Sequence, residues 1–300
     1  MNENNEFVDD IVQPFQLESS HLRGRLVRLG PALDTILKQH NYKAPVAGLL
    51  GEAVVVAAAL ASSLKYEGVF TLQAKGDGAV RLVVVDVSSS GDMRGYAQLA
   101  EGVSALTGDA RLLGSGYLAF TVDQKDLADR YQGIVELATG TFAEAVQHYF
   151  RQSEQLPTGI IASVSKDEQG NWRGGCLMLQ RMPKEGGIEK PPTDTSSEDD
   201  WLRAMILMQT CDPVELTDGV LKPNELLFRL FHEEGVRVYE PQQFRHKCRC
   251  SEERVSGMLR SLPKAEIETM TVNGLVVVTC EFCNRSYKYN QKQLDELYGG

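Results

Sequence analysis

Polar and apolar residues alternate at the end of Arg23-Gly24-Arg25-Leu26-Val27-Arg28-Leu29, as in a strand with one wet face. Pro31 to His40 reads as a helix. Pro45 to Leu64 reads as a longer one, apolar except for Glu52, Ser62 and Ser63. The period then changes to that of strands at Val69 to Ala74 and Ala79 to Val85, with Gly76-Asp77-Gly78 as the hairpin turn between them. Strands this close in sequence must pair antiparallel. Further strands are predicted at Gly116 to Val122, Gly133 to Leu137, Ile160 to Val164 and Cys176 to Leu179. A helix is predicted over Thr141 to Arg151, capped by Thr141 and Glu144. Grouped strands with few helices between them predict an α+β fold: an N-terminal domain over residues 1–182 with a mainly antiparallel sheet and packed helices.

The pattern breaks at Pro183 to Asp200, where Gly186-Gly187, Pro191-Pro192 and a polar run read as a linker or exposed loop. Trp201 to Met208 then begins a helix with Glu198, Asp199 and Asp200 at its positive end. A second helix carries Leu226, Leu227, Leu230 and Phe231, with Pro223 in its first turn and Gly235 past its last. Residues 183–240 therefore form a helical linker region. Its two short apolar helices cannot make a core alone and are expected to cover the sheet of the first domain.

The run Pro45 to Leu64 is about long enough to span a bilayer. Its Ala and Gly lower the hydropathy, and Glu52 would sit in lipid at a cost of about 3 kcal/mol, so a buried core helix is the expectation. The 300 residues, 42% hydrophobic and 24% charged, have the composition of an ordinary folded, soluble protein of two domains. Met1-Asn2-Glu3-Asn4-Asn5-Glu6 carries neither a basic start nor an early apolar run, which predicts no secretory leader and a cytoplasmic setting. A net charge of -10 disfavours a protein that lives on phosphate contacts. Residues 241–300, with nine Lys or Arg against seven Asp or Glu, leave a small opening for RNA.

Four of the six cysteines fall in that last segment, as Cys248-Arg249-Cys250 and Cys280-Glu281-Phe282-Cys283. In the cytosol thiols stay reduced, so clustered cysteines point to metal or redox sensing rather than structural disulfides. Two close pairs on separate turns supply the four thiolates that a structural Zn²⁺ site requires. Around them, Ser251 caps a helix that begins with Glu252 and Glu253 and ends at Leu262-Pro263. Leu275 to Thr279 is a strand, and Ser286 to Tyr289 resumes extended structure.

Cys-x-Cys departs from the doubled Cys-x-x-Cys of an ordinary zinc ribbon. A zinc-held thiolate is already deprotonated and nucleophilic toward peroxide, and a cysteine two or three residues away can resolve the sulfenic acid as a disulfide. Residues 241–300 are at the size where a core is marginal, and structural zinc supplies roughly 10–16 kcal/mol of binding energy that is also folding energy. Short disulfide loops restrain the unfolded chain far less than a metal tying both pairs together. Oxidation is therefore expected to unfold this segment and to expose whatever it covers.

At this point the chain resembles the redox-regulated holdase chaperones, the thirty-three-kilodalton heat-shock protein family. The paired cysteines and Cys250-Ser251-Glu252-Glu253-Arg254 are similar to its redox-switch domain. Gly76-Asp77-Gly78, Met93-Arg94-Gly95-Tyr96, Arg130-Tyr131-Gln132-Gly133-Ile134-Val135, Ser153-Glu154-Gln155-Leu156-Pro157 and Arg229-Leu230-Phe231-His232-Glu233-Glu234 resemble family stretches elsewhere. The resemblance implies a protein that is inactive when reduced and zinc-bound. Oxidation releases zinc, pairs Cys248 with Cys250 and Cys280 with Cys283, the distal pair first, and loosens the linker region. Unfolded client proteins then bind without ATP, to a homodimer formed through the N-terminal domain. Where the family has an aromatic residue two before the first cysteine, this chain has His246, read as solvated or structural rather than as a substitute ligand.

A zinc-ribbon nucleic-acid-binding protein is the rival reading, drawn from Arg245, Lys247, Arg249, Arg254 and Arg260, but Glu252 and Glu253 interrupt that run. An oxidoreductase built on the lone Cys-x-x-Cys lacks the surrounding βαβ pattern. Gly76-Asp77-Gly78 and Gly114-Ser115-Gly116 match no catalytic loop, so the chain reads as a non-enzyme. Cys176 and Cys211, apart from the quartet, read as small buried hydrophobes.

Overall fold

The computed structural model describes residues 9–102, 112–124, 131–137, 140–181 and 195–298. The chain divides into two compact units, Met1–His246 and Lys247–Gly300.

In the first unit the chain runs β1 (Ile11–Leu17), β2 (Leu22–Leu29), α1 (Pro31–Lys38), α2 (Ala44–Ser63), β3 (Gly68–Gly76), β4 (Val80–Ser88), β5 (Asp92–Leu99), β6 (Gly116–Gln124) and β7 (Tyr131–Glu136). There follow α3 (Phe142–Gln152), β8 (Thr158–Lys166), β9 (Trp172–Arg181), α4 (Thr195–Gln209), α5 (Pro213–Thr217) and α6 (Pro223–Phe231). The short strands β10 (Val236–Val238), β11 (Gln242–Gln243) and β12 (Arg245–His246) complete it. Where one sheet was expected, two form. The first has the order β10-β1-β2-β9-β8, with β11 also on β1, and is antiparallel throughout. The second has the order β12-β5-β4-β3-β6-β7 and is antiparallel but for β12 on β5.

Helix α2 explains why there are two. It packs on β2, β8 and β9 of the first sheet and on β3, β4 and β5 of the second, so it is buried on every side. A helix that is apolar all round has to be enclosed in this way. The expected core helix is thus observed, with each residue from Ala53 to Leu60 at most 3% exposed. Its one carboxylate, Glu52, accepts hydrogen bonds from the amides of Phe142 and Ala143 at the start of α3 (3.2 Å to Ala143), and burial holds its pKa above the ordinary value. Thr141 and Glu144 form the predicted capping box of α3.

The period-2 alternation sorts the strands of the first sheet between two cores. Val12, Val27, Leu29, Cys176 and Met178 face α2. Phe15, Leu17, Leu22, Leu26, Leu177 and Leu179 face the other way, onto Ala204, Met208, Leu216, Leu226, Leu227, Leu230 and Phe231. The linker-region helices therefore cover a sheet, as their apolar faces required. Part of the expected linker is itself helical, since α4 starts at Thr195 rather than at Trp201; residues 183–194 of that stretch lie outside the described residues. The fit is close at α5, where a Cβ on Gly175 would stand 2.2 Å from the carbonyl oxygen of Leu216.

Two polar groups pin this helical layer. Arg28, 1% exposed, donates to the carbonyls of Glu215 (2.7 Å), Leu221 (3.1 Å) and Asp218 between α5 and α6. Glu234 accepts from Arg203 of α4 (2.5 and 3.1 Å) and from Ser19 (2.8 Å), and the Arg203 hydrogen bonds hold its carboxyl below the usual range.

Replacing Arg28 by Met leaves three buried carbonyls without a donor. It should lower stability by about 3 kcal/mol, seen as a drop in the urea midpoint, with new proteolysis between α5 and α6. Glu52 titrates higher when folded than its unfolded value of 4.5, so stability present below pH 4.5 is lost as the pH rises through the folded pKa. Urea midpoints across this range should fall less steeply with pH in Glu52→Gln than in the parent.

Candidate metal centre

The second unit holds α7 (Glu252–Ser261), α8 (Lys264–Met270), β13 (Leu275–Thr279), β14 (Ser286–Asn290) and α9 (Gln291–Tyr298). The hydroxyl of Ser251 accepts from the Arg254 amide (3.3 Å), capping α7 as expected. Strands β13 and β14 pair antiparallel with Val278 opposite Tyr287. The turn between them is closed by Cys280 N–H to the Arg285 carbonyl (2.9 Å) and Asn284 N–H to the Cys280 carbonyl (2.8 Å), with Asn284 at φ 55°. The buried core is Val255, Leu259, Ile267, Val276, Tyr287, Tyr289 and Leu294.

These elements bring together all four cysteines of the two sequence pairs. Their Sγ atoms lie within 4.8 Å of one another, with Cys248 to Cys280 at 3.7 Å and Cys250 to Cys283 at 3.4 Å. The thiols are free, and each is half-buried. A tetrahedron with sulfur–metal bonds of about 2.3 Å has edges of about 3.8 Å, so the spacing suits a metal ion held by four thiolates. Both of these separations run between the sequence pairs, so an ion here would tie the turn at 248–250 to the turn at 280–283.

The backbone is arranged to carry negative charge on sulfur. The amides of Phe282 and Cys283 point at the Cys280 sulfur, that of Arg285 at Cys283 and that of Cys250 at Cys248. Burial pushes Cys248 up, but the Cys250 amide and the surrounding thiols more than offset it and bring the group down to about 7. Cys280 and Cys283 go up, first through burial and then through the sulfurs beside them. Cys248 thus gives up its proton easily while Cys280 and Cys283 resist losing theirs, as expected of anions crowded together without a cation.

The other sequence candidates lie elsewhere. His246 belongs to β12, 3.1 Å from the Gln39 amide through Nε2, and burial lowers its pKa; it is not part of the four-sulfur cluster. Arg245, taken for the nucleic-acid reading, is paired with Asp92 at 2.6 Å. Cys176 and Cys211 are buried in the first unit, where burial pushes both thiols up, Cys211 to about 11. Sequence reasoning missed the amides aimed at sulfur and the Tyr298 hydroxyl, which donates to the Leu259 and Leu262 carbonyls at the end of α7 (2.5 and 2.9 Å). The alternation of Ser286, Tyr287, Lys288 and Tyr289 could have marked both inner tyrosines as core.

A two-sheet α+β body followed by a small four-thiol module defines a class of protein in which a compact metal-type centre is joined to a larger folded domain. The model of the family described as Hsp33 protein matches residues 10–290, and the chain belongs to this chaperone family. A 33 kDa chaperonin of Caulobacter vibrioides (strain NA1000 / CB15N) is 40% identical over 292 residues, covering 94% of this chain and 95% of its own. That of Escherichia coli (strain K12 / DH10B) is 33% identical over 289 residues, covering 96% and 94%. The crystal structure of a 33 kDa chaperonin from Thermotoga maritima matches with a TM-score of 0.81 at 24% identity, covering 97% of this chain and 98% of its own, a likeness of fold.

Reduced, metal-free protein titrated with Co²⁺ should develop the spectrum of a tetrahedral thiolate site, saturating near one ion per chain. Cys280→Ser should weaken binding by more than the roughly 10- to 100-fold that loss of an outer-sphere partner costs.

Proposed function

We propose that this chain is a redox-regulated, ATP-independent holdase, inactive while reduced and loaded with zinc through Cys248, Cys250, Cys280 and Cys283. The observation that carries this reading is the convergence of four free thiols, with amides aimed at three of them, in a unit with a seven-residue buried core. Bound zinc would keep the sulfurs deprotonated and cross-link the two turns.

Oxidation proceeds on sulfur alone. A thiolate attacks one oxygen of peroxide, the O–O bond breaks, and sulfenic acid and hydroxide form. The neighbouring thiolate then displaces a second hydroxide from that sulfur, so each pair yields two electrons and one disulfide. Resemblance to the family supports Cys248 with Cys250 and Cys280 with Cys283 as the pairs. A disulfide sulfur no longer carries the charge that holds a cation, and the two turns are then joined only by the small core. Loosening of the α4 to α6 layer would uncover the apolar sheet face of Phe15, Leu17, Leu22, Leu26, Leu177 and Leu179 for unfolding clients.

Within this reading residues 1–182 are the client-binding and dimerising domain, 183–240 the linker region and 241–300 the switch. The protein acts in the cytoplasm as a homodimer when oxidised, and holds clients without chemical turnover. Peroxide-treated protein should suppress light scattering by a heat-unfolded test enzyme, whereas the reduced, zinc-loaded form should not. Equal suppression in both states would remove the switch, and none in either would remove the chaperone.

A further inference from the structure

Strand β8 ends its sheet, with β9 on one side and no strand on the other among the described residues. Its pairing with β9 runs unbroken from Thr158 to Lys166. At the two ends the Pro157 carbonyl accepts from the Arg181 amide (3.1 Å) and the Asp167 amide donates to the Asn171 carbonyl (2.9 Å). The groups turned toward β9 therefore belong to the odd-numbered residues, and the N–H and C=O of Ile160, Ala162 and Val164 point outward. The Ile160 amide agrees, since it donates to the side-chain carbonyl of Gln147 in α3 (3.1 Å). The outward groups of Ala162 and Val164 meet no partner among the described residues. Folded proteins ordinarily blunt such an edge with a proline, a bulge or charges along its length, because it invites another strand. From Thr158 to Ser165 β8 has none of these.

This edge lies in a groove of about 640 Å³. One wall, from α2 and α3, carries the carboxylates of Glu52 and Glu144, and no Lys or Arg is among the groove's described lining residues. The two carboxylates are near enough that Glu144 adds to the burial raising the Glu52 pKa, and both cap the start of α3 without an ion-pair partner among the described residues. The opposite wall carries Met205 and Met208 of α4. Flexible methionines adapt to apolar side chains of many shapes. A strand laid along β8 would send successive side chains to opposite walls, alternately to the carboxylates and to the methionines. We propose that this groove binds an extended polypeptide segment in which basic and apolar side chains alternate, added as a further strand on the edge of β8. The main-chain groups of Ala162 and Val164 hold its backbone, and the two walls select its side chains. The proposal needs neither metal nor oxidation, so it goes beyond the redox reading and stands apart from it.

The test uses the reduced full chain and a short fluorescein-labelled peptide of alternating Val and Lys, with binding read by anisotropy. Affinity should fall about tenfold or more when every Lys is replaced by Glu. It should fall as far when every backbone nitrogen of the peptide is methylated, which keeps the charge and removes the donors. Gly48 of α2 lines the groove, and a Cβ there would meet nothing within 4 Å, so Gly48→Phe should fill the space without disturbing the helix and weaken binding to the same degree. Equal affinity for the methylated peptide overturns the proposal, because attraction between a basic peptide and an acidic protein would then suffice. Equal affinity for the acidic peptide, undiminished binding by the Gly48→Phe variant, or no binding by the parent overturns it as well. Should that variant fail to fold, hydrogen exchange in the parent decides. The peptide should slow the outward amides of Ala162 and Val164 about tenfold or more, measured against those of Ile161 and Ser163, which β9 already holds. Unchanged exchange at Ala162 and Val164 overturns the inference, whatever light scattering shows of the redox switch.

Discussion

Four thiolates cannot share a space 4.8 Å across without a cation among them. At an effective dielectric constant near 20, two unit charges about 4 Å apart repel by roughly 4 kcal/mol, and four such charges make six pairs. While reduced, the cluster has two ways to exist: largely protonated, as the raised Cys280 and Cys283 indicate, or around a metal. Its surroundings favour the second, since backbone amides converge on the sulfurs as they would on any buried anion. A core of seven buried side chains is small to set against such repulsion, so the four sulfurs could not all stay ionised there without a cation.

The larger unit poses a different problem, because one of its sheets is apolar on both faces. One face is permanently closed by α2, which is enclosed between two sheets. The other is closed by three short helices whose grip combines apolar contact with Arg28 and Glu234. Buried polar pins of this kind add specificity of placement more than net stability, because their desolvation offsets much of what their bonds contribute. A cover fastened this way sits in one defined position when closed, and opening it would expose the apolar side chains on both sides of the contact.

Much of this was legible in the sequence, for physical reasons that differ by element. Glu52 within an otherwise apolar run marked α2 as core rather than membrane, and the Thr141–Glu144 box marked the start of α3. The spacing of the four cysteines located the site, because ligand geometry constrains local sequence. The missed strands were those whose residues lack strand character. Pro14 interrupts β1 and offers only its carbonyl, to the Tyr239 amide, while Gly95 and scarce β-branched residues hide β5. The division into two sheets was invisible because it is set by pairings distant in sequence, such as β2 with β9.

The enclosure of α2 has a consequence for how the chain is made. The helix ends at Ser63, but β8 and β9, which form much of its cover, begin about a hundred residues later. While the polypeptide is being synthesised, a helix as apolar as a membrane span must wait for its last neighbours, and contacts so distant in sequence close slowly. A nascent chain of this protein is therefore open to aggregation until β8 and β9 have emerged.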